Sequence, residues 1–264
     1  MNMVEQNPNI TEESQKKRKT LKVVLLSIVG AIGLLLAIII ILAVIDLKQE
    51  EVLKQEIINY SNMDLIQDDY SIKVKTKGDC AYVEEAIKNY YKKLSDNMKS
   101  INKYLSNDEL NNVLSYQNLV QDRPSFKTSK QTIKNTKENI NKYIDNINNL
   151  VSEKTIKSLI DKEKLDDGDY YYDLYLQLIY TDQDKEDYKE IAKDMTGLKK
   201  SLNKSLDKLS ETIEFLKKKD KNIVYKNSNL YFDYKSDLNK YRKYLEELEK
   251  IGQEITSEGE KITT

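Results

Sequence analysis

Carboxylates, tyrosines and a single cysteine are the residues of this chain best suited to chemistry, because histidine and tryptophan are absent. Without histidine, a serine or cysteine nucleophile lacks its usual base. One cysteine and no histidine also exclude zinc sites built from those ligands. The seven glycines are scattered, and the nearest pair, Gly30 and Gly33, falls inside an apolar run, so no phosphate-cradling loop exists. The acidic runs Glu84-Glu85, Asp184–Asp187 and Glu246-Glu247 fall on polar helix backs or at helix starts, where solvated faces are expected. Asp166-Asp167-Gly168-Asp169, followed by Asp173, is the one group that could hold calcium. It lacks the EF-hand order of alternating oxygen ligands, glycine and a distal glutamate, and turn and N-cap chemistry accounts for it equally well. No catalytic, cofactor-binding or metal residue is assigned, and the chain reads as a non-enzyme without a cofactor.

Cys80 shares a helical stripe with Val83 and Ile87, so a buried, unreactive thiol is expected; an intermolecular disulfide is the sharper alternative. An intramolecular disulfide framework is excluded by count. Tyr170–Tyr180 is the most aromatic stretch. It is expected either to fill core and boundary positions, in a chain with 19 tyrosines and only three phenylalanines, or to leave a partly exposed contact patch.

The elements that must position these groups begin with Val23–Ile45, an uncharged run whose only ordinary polar residue is Ser27. As a helix its 23 residues cover about 35 Å, enough to cross a hydrocarbon core of about 30 Å. Lys16, Lys17, Arg18, Lys19 and Lys22 precede it, while Asp46, Glu50 and Glu51 follow, mixed with Lys48. The positive-inside rule then places residues 1–22 in the cytoplasm and everything after the run outside. A cleaved signal peptide fits less well, because the run exceeds about 7–15 residues and ends without a small-residue site. No cysteine near its end would carry a lipid. Ser27/Ala31 and Gly33/Ala37 form small-xxx-small pairs that could permit close helix approach and a homo-oligomer.

The net charge is −1, of which the tail Met1–Lys22 contributes +2 and the remainder −3. That balance suggests no nucleic-acid or polyanion partner, and three arginines against forty lysines weaken any bidentate recognition of phosphate. Abundant Lys, Asn, Ile and Tyr fit an AT-rich coding sequence, as in a low-GC Gram-positive bacterium.

Beyond the span, residues 46–60 continue as a helix of good formers, broken at 61–69. Tyr70–Lys75 alternates as a weak strand, and Asp79 looks like the N-cap of the next helix. That helix carries Cys80, Val83, Ile87, Tyr90, Leu94, Met98, Ile101 and Leu105 three or four apart. Short turns over 107–121 end at Arg123-Pro124. A second long helix, 125–151, sets Ile133, Ile140 and Ile147 seven apart, with Thr136, Tyr143 and Leu150 interleaved. Ser152 is positioned to cap a shorter helix. The longest pattern, 184–219, holds Gly197 as its expected kink or break. Ile223–Phe232 leans to strand and could pair with Tyr70–Lys75; a last helix covers 233–255.

Each helix has one apolar stripe to bury, and the short connections favour antiparallel neighbours. The expected fold is all-α: one N-terminal transmembrane helix, then an antiparallel bundle of four or five long amphipathic helices with a minor two-stranded element. The expected organisation is a basic tail (1–22), the span (23–45), a juxtamembrane helix and linker (46–69), an extracytoplasmic bundle (70–256) and a flexible tail (257–264). The functional expectation is a non-catalytic, single-pass, membrane-anchored interaction or scaffold module. Its partners would be the lipid bilayer through 23–45 and an unidentified envelope protein. A sensor-like ectodomain relaying through a partner protein is the alternative.

Overall fold

The computed structural model describes residues 48–261, with side chains from 49 to 255. The expected span at 23–45, the basic tail and the small-residue pairs lie outside the described residues. Among the described residues no helix is long and apolar enough to cross a membrane. What is described is mostly helical, with one small two-stranded sheet.

The helices, in chain order, are α1 (Lys48–Ser61), α2 (Gly78–Leu105), α3 (Asp108–Asn111), α4 (Tyr116–Asp122), α5 (Lys127–Leu150), α6 (Glu153–Lys157), α7 (Gly168–Ile179), α8 (Asp182–Lys219) and α9 (Lys235–Lys261). Strands β1 (Ile223–Lys226) and β2 (Asn229–Phe232) lie between α8 and α9. α1 packs on α2, α2 on α5, α5 on α8 and α8 on α9, with α7 also against α2.

α5 and α8 run antiparallel in one register. Asn148–Thr196, Asp145–Lys199, Asn141–Asn203, Lys137–Asp207 and Lys130–Glu214 form successive rungs, and each step along one helix is matched by an equal step back along the other. Between the rungs lie Ile133, Thr136, Ile140, Ile144, Ile147 and Leu150 of α5. Tyr143 is half-buried and packs on the core beside Tyr104, and Ile144 next to it is buried as well, which widens the stripe as a helix of 3.6 residues per turn departs from a strict seven-residue repeat. α8 is unbroken through Gly197, against the break expected there; packing on α5 and α9 holds a residue whose propensity alone costs about 1 kcal/mol.

α1 departs from the up-down scheme. Tyr60 meets Tyr91, and further along Ser95 Oγ donates to the Leu65 carbonyl, so α1 and α2 run parallel. The chain returns between them as an extended strap over residues 70–77. Tyr70–Lys75 is therefore not a strand; its backbone is bonded to side chains instead of to a neighbouring strand. β1 pairs antiparallel with β2, Ile223 opposite Phe232 and Lys226 opposite Asn229, across a two-residue turn. Asn227 and Ser228 both have positive φ (51° and 59°), the geometry whose twist suits a tight hairpin.

Helix starts show how local chemistry sets the boundaries. Ser152 caps α6, as expected, by accepting from the Thr155 amide at 3.3 Å. Thr181 and Asp184 form a reciprocal capping box at the start of α8. Asp79 does not cap α2: Lys77 holds that position without a side-chain bond, and the Asp79 carboxylate instead accepts the Asp166 and Asp167 amides at 3.1 and 3.0 Å.

These contacts give the bundle two ends. The start of α1, the start of α2 and α7 gather at one. The C-terminal end of α8, the hairpin, α4 and the start of α9 gather at the other. α8 joins them, its 38 residues covering about 57 Å.

Candidate functional site

Helix α1 buries Leu53, Ile57 and Tyr60 against the bundle, and it carries Glu56 into the same interface. α2 brings Glu84 and Lys88 one turn apart, and both are almost wholly buried. Lys88 Nζ donates to Glu84 Oε1 at 2.6 Å, to Glu56 Oε2 at 3.0 Å and to the Lys73 carbonyl at 2.8 Å. An ammonium has three donors, so all are used. Glu84 also accepts the Lys75 and Thr76 amides, at 3.0 and 2.8 Å, and the Thr76 hydroxyl at 2.7 Å. Lys75 Nζ closes the group on Glu56 at 2.7 Å, and the Lys88 ammonium stands 4.7 Å from the centre of the Tyr60 ring.

The electrostatics define what this cluster can do. Burial would push the Glu56 and Glu84 carboxyls up, yet the hydrogen bonds from their lysine and backbone partners outweigh it and hold both below the ordinary value. Burial would likewise lower Lys88, and its two glutamates raise it instead. Carboxylates that resist protonation and an ammonium that resists deprotonation are poor proton-transfer groups. The arrangement locks α1, the strap and α2 together.

Tyrosines extend the lock. Tyr60 and Tyr70 meet edge to face at 5.5 Å, Tyr70 stacks on Tyr91 at 6.3 Å, and the Tyr70 hydroxyl donates to the Met63 carbonyl at 2.9 Å.

The other acidic candidates are dispersed. Asp167 caps α7 by accepting the Tyr170 amide at 3.3 Å, and Asp169 pairs with Lys162. A Cβ on Gly168 would lie 2.5 Å from the Lys162 carbonyl oxygen, which explains the glycine in that turn. Among the described residues no group of three or more acids, cysteines or histidines gathers as a metal site. Glu247 is paired with Lys208 at 2.8 Å. Glu84, Asp184 and Asp187 are buried, which corrects the solvated face expected for them.

The tyrosine stretch does not form a broad patch. Tyr175 is buried and donates to the Ile156 carbonyl at 2.6 Å, and Tyr180 is buried against Tyr188. Tyr170 alone is exposed, and its hydroxyl donates to Glu50 at 2.7 Å, a bond that helps to raise its pKa to about 12. Cys80 is buried, and burial pushes its thiol up.

At the opposite end, Arg123 grips Asp220 with Nε at 2.9 Å and Nη2 at 3.1 Å, while its guanidinium lies 4.4 Å from the centre of the Tyr225 ring. Lys219 pairs with Asp237 at 3.1 Å, and the Asp233 amide donates to the Asn222 carbonyl at 3.0 Å. These contacts hold α4, the end of α8, the hairpin and α9 as one face, on which Val224 and Tyr234 are exposed.

No family model, curated protein or solved structure matches this chain.

Sequence reasoning missed Glu56, Glu84 and Lys88 as a group. The available signal was the i,i+4 pair Glu84/Lys88 within a helix whose apolar stripe already adjoined both. The third member comes from α1, 28 residues before Glu84, and nothing in local spacing connects them.

Proposed function

We propose that the chain is a single-pass membrane protein whose helical bundle stands outside the cell as a non-catalytic module for protein interaction or scaffolding at the envelope. The observation that carries this reading is one junction. The uncharged run Val23–Ile45 ends three residues before α1, and α1 is fastened to the bundle by the buried Glu56–Lys88–Glu84 group. An anchor followed by a floppy linker would need no such fastening; here the first helix after the run is itself part of the fold.

The charge-satisfied cluster and the dispersed acids supply no proton-transfer pair, which supports a binding role over a catalytic one. The fastening also suits the second reading, a sensor whose bundle moves with its span and relays through a partner protein. Cross-linking in intact membranes, followed by capture of the full chain, tests the first reading: a stable partner set is expected, whereas a chain that stays alone and monomeric would contradict it. Deleting residues 1–15 separates the two, since a relay would lose its output with the bundle still folded and a scaffold would keep its partners.

A further inference from the structure

The overall charge conceals a segregation along the bundle. From Asp161 to Glu190 the chain carries eleven acids and four lysines, and this stretch sits at the end where α1 begins. From Lys217 to Lys243 it carries nine basic residues and three acids, and this stretch forms the hairpin end. Two of those three acids, Asp220 and Asp237, are already buried in ion pairs with Arg123 and Lys219. Lys217, Lys218, Lys221, Lys226 and Lys235 are all exposed, and among the described residues none has a carboxylate partner within 4.0 Å.

We propose that this end is a binding surface for a flexible, phosphate-bearing polyanion, an inference that takes its orientation from the membrane reading above. The chemistry favours such a ligand in three ways. Clustered like charge destabilises the fold, and the one acid beside Lys217 and Lys218, Glu214, is itself paired with Lys130, so this face of lysines calls for an anionic partner. The face is built from lysines, with Arg123 committed to Asp220; hydrated point charges suit repeating phosphates on a mobile chain better than the fixed fork of one phosphopeptide. Val224 and Tyr234, 42% and 57% exposed, provide apolar ground beside the charges for the polymer's backbone.

Two other occupants are disfavoured by distance. With the bundle upright, the basic end lies about 57 Å from the start of α1, many times the Debye length of about 8 Å at physiological salt, so the protein's own bilayer does not reach it. The same separation keeps the basic end of one copy from the acidic end of a neighbour in that bilayer.

The test uses the full chain in discs of neutral phosphatidylcholine, with fluorescently labelled linear polyphosphate as probe. Binding is expected, weakening as salt rises. Combining Lys217→Gln, Lys218→Gln, Lys221→Gln and Lys226→Gln should weaken it at least tenfold. It should also flatten the log–log salt dependence by about 3, four contacts at about 0.7 each. Lys162→Gln with Lys164→Gln, at the acidic end, should change neither, and circular dichroism should show the fold intact in both variants. Undiminished binding by the fourfold variant, or no binding by the unaltered chain at low salt, would overturn the proposal. So would a preference for phosphatidylglycerol discs over polyphosphate, or self-association that the fourfold variant abolishes. Extraction of the chain from native membranes by alkaline carbonate would instead undo the membrane reading, leaving the polyphosphate result to stand or fall separately.

Discussion

Lys88 Nζ lies 3.0 Å from Glu56 Oε2, so a buried ion pair joins the first described helix to the first long helix of the bundle. Both side chains are out of solvent, and Glu84 completes the group from one turn away on α2. Such a group contributes little over an apolar replacement of the same shape, but it is costly to break, because removing one partner strands the others.

Lys88→Met is therefore expected to destabilise the folded chain by about 3–5 kcal/mol. Adding Glu84→Gln and Glu56→Gln, which removes the stranded charges, should recover a good part of that loss. Urea midpoints of the full chain in detergent provide the comparison. A single variant as stable as the parent would show that the cluster is not closed as described.

Acid should loosen the same junction. A carboxylate held below its ordinary value contributes stability that is fully present above the unfolded value and is lost as pH falls through the folded one. Glu56 and Glu84 both lie below 4.5, so stability should decline from about pH 4.5 downward. Lys88 has the opposite sign: raised above 10.5, it contributes fully below that value and loses its contribution only in strong alkali. Asp184, raised above 3.8 by burial, opposes folding at neutral pH and is relieved on acidification, which blunts the decline. Urea midpoints measured between pH 7 and 3 should fall, and should fall less in the Glu84→Gln chain; a flat profile would contradict the cluster's electrostatics.

Backbone positions make a cleaner test because few contacts change. Gly197 lies within α8, and a Cβ there would meet nothing within 4 Å. Gly197→Ala should stabilise by about 0.5–1 kcal/mol. Ser228→Gly, at a positive φ in the hairpin turn, should gain a similar amount by restoring the residue that the turn prefers. A loss of thermal stability would contradict open space beside Gly197 in the first variant and the positive φ of Ser228 in the second.

Cys80 is 2% exposed, and its thiol is held above the ordinary value. It should react with maleimide only after denaturation, and non-reducing gels should show no reductant-sensitive dimer. Rapid labelling of the folded chain would require α7 to open from α2.

Periodic elements were legible in the sequence, because an amphipathic stripe of 3.6-residue spacing appears wherever a helix buries one face. α2, α5, α8 and α9 were found that way, with errors of a few residues at their ends. The β-leaning run 223–232 was legible but not as two strands of one hairpin, since the alternation at 70–75 resembled a partner strand, whereas its Lys75 amide goes to Glu84 and its Lys73 amide to Ser71. Gly197 misled because tertiary packing overrides a propensity of about 1 kcal/mol. Glu84 misled for a different reason: its own partners, Lys88 and the Lys75–Thr76 strap, are near in sequence, but the helix that covers them, with Glu56, is distant. The charge segregation was hidden by the near-zero net charge, and only the antiparallel register brought the lysines of 217–243 together at one end.

The placement of the hairpin end outside an intact membrane is the claim on which the rest depends. Ser228→Cys puts an exposed thiol in the hairpin turn, under the same backbone demand as serine, while Cys80 stays buried. A membrane-impermeant maleimide added to intact cells, followed by alkaline carbonate extraction, reads sidedness and anchoring together. The expected result is a chain that is labelled before lysis and retained in the carbonate-resistant fraction. Labelling that appears only after lysis, or release of the chain by carbonate, would contradict it.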